Sequence, residues 1–555
     1  MPFRLPSILD SHRKIIFPLL LIAGFALLWT IGIGRIPLFD WDEVNFAECA
    51  REMRLTDEYL YAQIGFLPFW EKPPLFFWIQ TLSMKIWGET AFAARFPNVL
   101  ISLLTLFTLY RLGSHWHGSS FGITWLFLYG VSLLPSFYAR SALIDPLFNF
   151  FMLLAVVMGS AGLERQRPSL HSVVCGIAAA CATLTKGPVG SFLPALALAT
   201  AGVMYRRLRE LIRLGLIGGL SYLIIVGGWI YLLYRRGEAD LLEAFWAYQW
   251  RLFSTADAGH AGPWYYHLLV LSLGMFPASW WAIGMKRIRQ LPLSAQILLF
   301  LTGWTIVIFS IVKTKILHYS SLAYYGIAYM AAWVWTYRHH WIERWGWILF
   351  NIGAILFGIL TVGGGILMTQ TSLWMTKLRD PFVRAAIQDT PLQWSGWEGW
   401  MGLILIGGVS FLNLLTLGRW KRLILAGGLV GLWQMLTLAT FAPRIELYTQ
   451  GPLRRFAEEK AAEGAVVWCL GFKSYIPYFY GRMQPGMSPK LTGDPIAFQN
   501  FLLSAEVPVP VYFVSRVDRY QSFIRTYSLE VLGYAGGYVF LRPNPLRRGA
   551  IFPWA

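Results

Sequence analysis

The chain is built from long apolar runs separated by short polar breaks. Thirteen stretches hold enough mostly apolar residues to cross a bilayer, which takes about 20: 15–34, 92–112, 120–138, 145–163, 170–185, 188–205, 213–234, 265–285, 294–312, 316–337, 342–368, 399–418 and 422–442. Within them the apolar residues run on continuously rather than alternating, so each is read as a helix. The first follows Ser11-His12-Arg13-Lys14, a signal-like start, but no small-residue cleavage site precedes Arg35, so it is read as an uncleaved anchor. Three polar segments are long, 35–91, 235–264 and 369–398, and the first contains two helix-like pieces. From residue 443 the pattern changes. An amphipathic helix near 450–463 is followed by strand candidates at 465–470 and 509–515, then a hairpin over 529–542 turning at Gly536-Gly537. The expected architecture is a polytopic α-helical membrane domain over 1–442, carrying the helical loop 35–91, and a small α/β domain over 443–555.

Composition removes the alternatives. Hydrophobic residues make up 56% of the 555 and charged residues only 14%, against about 25% charged in ordinary soluble domains. A soluble multidomain enzyme and a disordered chain are excluded. So is an outer-membrane barrel, whose strands alternate. Four scattered cysteines make neither a zinc site nor a disulfide framework.

The net charge of +18 is explained by position, and nucleic acid is not implied. With the N-terminus cytoplasmic, Arg111, Arg165, Arg167, Arg206, Arg207, Arg209, Lys286, Arg287, Arg289, Arg338, Arg344, Arg419, Lys421 and Arg422 all fall in or beside short inside loops, as the positive-inside rule requires. Residue 443 onward is then outside. The informative charges are the few on the outer side.

In the first outer loop, Asp40 and Glu43 fit a capping box, which leaves Asp42 unexplained by helix capping. Glu71-Lys72 precedes a Pro-started aromatic helix; the pair reads equally well as solvated surface or as a phosphate-binding cation beside a carboxylate for a metal or a sugar hydroxyl. Asp145-Pro146 is an ordinary helix start. The functional alternative is that Asp42 and Asp145 converge on one site as paired carboxylates. Lys186, Lys313 and Lys315 lie in tight outer turns, against the topological trend; an anionic ligand or snorkelling to headgroups would each account for them. His260, in a Gly-rich outer loop, is a candidate metal or substrate ligand or a plain surface residue. No nucleotide-binding fingerprint is present. A transferase working on the outer face therefore needs a donor already carried in the membrane, and a polyprenyl-phosphate-linked sugar is the natural one.

Together these residues resemble the superfamily of bacterial lipid-A aminoarabinose transferases and protein O-mannosyltransferases, membrane glycosyltransferases of the GT-C fold. The resemblance rests on Asp42-Glu43, Arg51-Glu52-Met53, Phe69-Trp70-Glu71-Lys72-Pro73-Pro74-Leu75, Ala93-Ala94-Arg95-Phe96-Pro97, the segment 140–145, Leu184-Thr185-Lys186-Gly187-Pro188 and the His318-Tyr319 turn, in the family's order. The span count and the C-terminal α/β domain are closer to the aminoarabinose branch. The chain departs from the family pattern at Asn45, at Leu317 and around His260.

What the resemblance implies is an inverting transfer of a sugar from a polyprenyl (undecaprenyl) phosphate to lipid A or, alternatively, to a protein or glycan. Asp42 would sit at the reacting centre with Asp145 close by, Glu71 would meet a metal or the sugar, and Lys72 the donor phosphate. Glu43, Arg140, Lys186, Lys313, Lys315, His318 and Tyr319 would complete the phosphate and substrate contacts. A divalent ion, Zn2+ or Mg2+, would be held by Glu71 and His260; no nucleotide is needed. The expected location is the bacterial inner membrane, with the C-terminal domain periplasmic. A lipid or sugar flippase, the rival class, would show mid-membrane ionisable residues and paired broken helices, and neither is visible in the sequence.

Overall fold

A computed structural model describes residues 8–164, 169–255, 262–286, 288–390 and 394–544. Helices coincide with every one of the thirteen apolar stretches, and eight of them are long and apolar enough to cross a membrane. Ala91–His117 and Asp145–Glu164 lie at the centre of the bundle, whereas Leu208–Arg235 is buried over only 17% of its apolar window. An apolar helix so little covered by protein is one that lipid covers.

Three stretches expected as single spans are interrupted. Residues 120–138 divide into Ser119–Val131 and Leu133–Tyr138, and residues 265–285 into Tyr266–Gly274 and Ala278–Ala282. Residues 316–337 open with a 3-10 turn, Leu317–Ala323, before the helix Tyr324–Tyr337. The first two breaks face each other. The Leu133 amide donates to the Phe276 carbonyl (3.2 Å), the Ser132 hydroxyl to those of Leu128 and Met275, and the Gln434 Nε2 to that of Leu133 (2.7 Å). Backbone groups freed inside an apolar bundle must be satisfied internally, and here each break supplies partners to the other. The two interruptions are thus knitted together by hydrogen bonds.

The loop 35–91 contains the two expected helices, Asp42–Thr56 and Leu75–Trp87, and a hairpin that was not expected, β1 (Ala62–Ile64) with β2 (Leu67–Phe69). Its turn residues Gly65 and Phe66 both have positive φ (64° and 59°), as a tight hairpin turn demands. Their amides donate to the two oxygens of the Glu52 carboxyl, at 2.7 Å each. Burial, with Glu48 beside it, pushes the Glu52 pKa well above the usual carboxylate range.

Beyond the last span the helix Arg419–Thr449 runs unbroken through residue 442, so the boundary expected there falls inside a helix. Gly451–Ala462 follows, and then the strands β3 (Val466–Leu470), β4 (Val511–Arg516), β5 (Leu529–Ala535) and β6 (Tyr538–Pro543). The sheet order is β3-β4-β6-β5, parallel between β3 and β4 and antiparallel elsewhere. Alternate side chains serve two cores. Trp468, Leu470 and Phe513 pack with Phe498 and Leu502 on one face, while Val467, Val514 and Phe540 pack with Leu453 and Ala457 on the other.

This domain is bound to the loop 35–91 by polar contacts, several of them buried. Arg51 forms a bidentate pair with Glu48 (2.7 and 2.6 Å) and donates to the carbonyls of Tyr478 and Met483. Glu89 pairs with both Arg54 and Arg482. Gln450 accepts from the Asp40 amide (2.7 Å) and donates to the Leu38 carbonyl (2.8 Å).

The capping box expected from Asp40 and Glu43 forms only in half. Glu43 does reach back to the Phe39 amide (3.0 Å). Asp40 caps nothing: the helix begins at Asp42, and the Asp40 carboxylate accepts instead from the amides of Trp41 (2.8 Å) and Tyr475 (2.9 Å). A backbone donor in the C-terminal domain has captured the side chain, and Trp41 takes φ 71°, a conformation unusual for a bulky residue. Burial raises the pKa of Asp40. Asp40→Ala, which leaves the Tyr475 amide without its acceptor, is expected to cost about 1–3 kcal/mol. Asp40→Asn, which keeps an oxygen there, should cost less. Thermal unfolding of the two purified variants checks this, and equal melting temperatures would refute it.

Candidate active site

Three helix ends meet at one end of the bundle. Asp145 is the first residue of Asp145–Glu164, Lys186 the last of Ser169–Lys186, and His318 lies in the 3-10 turn. The expected cap at Asp145-Pro146 is not made by the carboxylate. Its Oδ1 accepts from Lys186 Nζ at 2.6 Å, and its Oδ2 lies 3.8 Å from His318 Nε2, buried and with no hydrogen bond among the described residues. The Lys186 ammonium lies over the rings of Tyr319 (5.3 Å) and Phe148 (5.8 Å). A lysine on a helix C-terminus is favoured by the helix dipole, but its reach to Asp145 is a tertiary contact.

Lys72 approaches from the loop 35–91. Its side chain is only 14% exposed, its Nζ is 4.0 Å from Glu71, and it sits over the ring of Tyr248 (5.1 Å). Burial pushes the Lys72 pKa below its ordinary value; Lys186 pushes the same way, while Glu71, Asp42 and Asp145 oppose it. His318 responds alike. Burial lowers its pKa, Asp145 and Asp42 oppose, and Lys186 and Lys72 add to the fall. Those mutual influences place Asp42, Glu71, Lys72, Asp145, Lys186 and His318 in one electrostatic cluster. Asp42 is half-buried, as are Glu71, Lys72, Lys186 and His318, and among the described residues its carboxylate makes no ion pair within 4 Å.

Other expected contacts go elsewhere, for identifiable reasons. Glu43 is spent on Arg95: Arg95 Nε and Nη2 donate to its two oxygens at 2.8 and 2.6 Å, and the amides of Ala142 and Phe39 add further bonds. Burial alone would raise the Glu43 pKa, but Arg95 and the two amides hold it below the usual range. Arg140 donates to the Leu28 carbonyl in the last turn of the helix Ile8–Thr30 (2.7 Å). Lys315 donates to the carbonyls of Phe309, Ser310 and Val312, at the end of Leu293–Ile311 (2.6–2.8 Å). Both satisfy the orphan carbonyls that every helix C-terminus leaves, which corrects the expectation that Glu43, Arg140 and Lys315 meet substrate. Lys313 is exposed. Tyr319 lies in the cluster through Lys186. His260 lies outside the described residues.

The sequence reading missed Tyr248, whose ring carries Lys72 on one side and packs against Trp70 (5.4 Å). The only signal was the aromatic character of 235–264. Tyr138, stacked on Tyr324 at 6.3 Å, also lies within reach of the charges of Asp145 and Asp42. Among the described residues no three His, Cys, Asp or Glu side chains gather as a metal site; of the expected pair, Glu71 is described and His260 is not.

Two spaces adjoin the cluster. A narrow apolar crevice lined by Phe69, Trp70, Lys72, Trp229, Leu233 and Phe245 runs along the lipid-facing helix Leu208–Arg235. Trp70 lines this crevice, whereas Phe76 and Phe77 are fully buried against Phe46, and Trp78 donates to the Tyr59 carbonyl. The second space is a cavity of about 770 Å³ between residues 64–71 and the C-terminal domain, bordered by Glu71.

Fold and cluster together define a multi-pass helical membrane protein with a small C-terminal sheet domain. The family described as dolichyl-phosphate-mannose-protein mannosyltransferase matches residues 71–232, a stretch that opens on Glu71 and includes Lys72, Asp145 and Lys186. The crystal structure of ArnT from Cupriavidus metallidurans bound to undecaprenyl phosphate shares the fold, with a TM-score of 0.74 over 94% of this chain and 97% of that one at 19% identity. Among curated proteins, the undecaprenyl phosphate-alpha-4-amino-4-deoxy-L-arabinose arabinosyl transferase of Pectobacterium carotovorum is 26% identical over 363 residues, 62% of this chain and 64% of that protein. Its namesake in Pseudomonas aeruginosa strain PAO1 is 28% identical over 277 residues, 49% of this chain and 50% of that one. The chain thus spans between half and two thirds of the length of these curated relatives. It resembles the aminoarabinose transferase and protein O-mannosyltransferase superfamily.

Proposed function

We propose that the protein is a glycosyltransferase that moves a sugar, aminoarabinose or one like it, from undecaprenyl phosphate to lipid A on the periplasmic face of a bacterial inner membrane. The observation that carries this reading is the presence of Asp42, a carboxylate with no ion pair within 4 Å among the described residues, in one charge cluster with two largely buried lysines, Lys72 and Lys186, at one end of a membrane bundle. Relatives named for undecaprenyl-phosphate aminoarabinose transfer support the donor. The basic loops at the other end of the spans support a cytoplasmic N-terminus.

In the reaction the acceptor oxygen attacks the anomeric carbon from the face opposite the phosphate. The bond from that carbon to the phosphate oxygen breaks, and its electron pair leaves with undecaprenyl phosphate. Lys72 and Lys186 offset the charge on the departing phosphate in a site with little water, where such stabilisation has most effect. Asp145 holds Lys186 in place. Asp42 takes the proton of a hydroxyl acceptor; an acceptor phosphate arrives already ionised, and Asp42 then only orients it. The crevice beside Lys72 guides the first isoprene units of the donor.

The test is transfer in proteoliposomes containing undecaprenyl-phosphate-linked aminoarabinose and lipid A, read by mass spectrometry of lipid A. Lys72→Ala is expected to lower the rate by roughly 10²–10³-fold. Absence of transfer by the wild-type protein to lipid A, or a Lys72→Ala variant with the wild-type rate, would refute the proposal.

A further inference from the structure

The geometry points to the cavity between Trp70-Glu71 and the C-terminal domain as the acceptor subsite, one that takes the phosphorylated sugar headgroup of a glycolipid with Lys473 on its phosphate. This rests on the glycosyltransferase reading and adds to it a place for the second substrate.

Its volume of about 770 Å³ is that of a ligand site and has room for a disaccharide. Trp70, Trp468, Phe472 and Tyr475 contribute aromatic surface, Glu71 a carboxylate and Lys473 a cation. Aromatic faces with a few placed polar groups suit sugar rings, which are apolar on their faces and polar at their rims. Lys473 is exposed, and its ammonium lies over the rings of Tyr475 (5.0 Å) and Trp41 (5.7 Å). Two rings therefore present a mobile point charge of the kind that binds phosphate. The Trp41 ring meets that of Tyr475 edge-on at 6.0 Å, and Trp41 directly precedes Asp42.

Position decides between donor and acceptor. Glu71 and Lys72 are consecutive, yet Glu71 borders this cavity and Lys72 borders the apolar crevice, with Phe69, Trp70 and Leu241 forming the wall common to both. In an inverting displacement the incoming and leaving groups lie on opposite faces of the sugar. If the polyprenyl phosphate leaves on the Lys72 side, the acceptor enters on the Glu71 side. The C-terminal domain would thereby contribute half of the acceptor subsite, a role for it beyond bracing the loop 35–91.

The experiment measures binding of two probes, lipid A 1,4′-bisphosphate and undecaprenyl phosphate, to the full-length protein in nanodiscs. Lys473→Glu and Lys473→Ala are each expected to weaken lipid A binding, by about tenfold or more for Lys473→Glu, while undecaprenyl phosphate binding stays within about twofold of wild type. Lipid A binding unchanged in both variants overturns the inference, as does an equal loss for both probes, which would mean that the domain had merely come loose. Wild-type protein that binds undecaprenyl phosphate but not lipid A overturns the inference together with lipid A as acceptor, whereas unchanged lipid A binding in the two variants overturns the inference alone. Wild-type protein that does not bind undecaprenyl phosphate overturns the proposed function, and the subsite with it.

Discussion

Replacing Asp42 by asparagine is expected to lower sugar transfer by roughly 10²–10⁴-fold, the range removed with a general base, while leaving the fold intact. The side chain keeps its shape, is partly exposed and makes no ion pair within 4 Å among the described residues, so the substitution breaks no structural contact. Asp145→Asn would be less clean. Asp145 holds Lys186 at 2.6 Å, and neutralising it removes the partner of a largely buried lysine, so lost activity there mixes chemistry with misplacement. The measurement is the initial rate of transfer together with thermal unfolding of the same preparation. A folded Asp42→Asn protein with near-normal turnover would remove Asp42 from the mechanism. If the acceptor is an ionised phosphate, the loss should fall at the low end of the range and should not be restored by raising the pH, since no proton has to be taken.

The largest effect on stability is expected at Arg95. Its guanidinium is 4% exposed and donates to both oxygens of Glu43 and to the carbonyls of Ile33, Ile36 and Pro37. It joins the central helix Ala91–His117 to the end of the first span and to the start of the helix that carries Asp42. Arg95→Met leaves the Glu43 charge buried with only the two backbone amides, at a cost of about 3–5 kcal/mol. The double variant Arg95→Met/Glu43→Gln should recover part of that loss, because both charges are then gone. Unfolding in detergent followed by intrinsic fluorescence reads both. Single and double variants of equal stability would show that the pair contributes no coupling.

The site residues separate by how far their partners lie along the chain. Asp42, Glu71, Lys72, Asp145 and Lys186 stood out because charge is scarce in a chain that is 56% hydrophobic, and all five do lie in one cluster. Arg140 and Lys315 stood out by the same criterion, yet they close helix ends. A basic residue just past an apolar run looks identical in sequence whether it turns back to the last carbonyls or forward to a ligand. Tyr248 could not be singled out at all, because aromatic residues abound beside a membrane and nothing local marks the one that carries Lys72.

The helical membrane body and the small sheet domain were legible without coordinates. Run length against bilayer thickness, and alternation against continuous apolarity, are local properties that burial of apolar surface reads directly. The partners of the charges were not. Glu43 finds Arg95 across 52 residues, Asp145 finds Lys186 across 41, and Asp40 finds the Tyr475 amide across 435. A buried charge takes whichever partner the packed chain brings within hydrogen-bond distance, because leaving it unpaired costs several kcal/mol. That choice separates the carboxylates that brace the structure from Asp42, which has no ion pair within 4 Å among the described residues, and it is made when the loop, the bundle and the C-terminal domain close on one another.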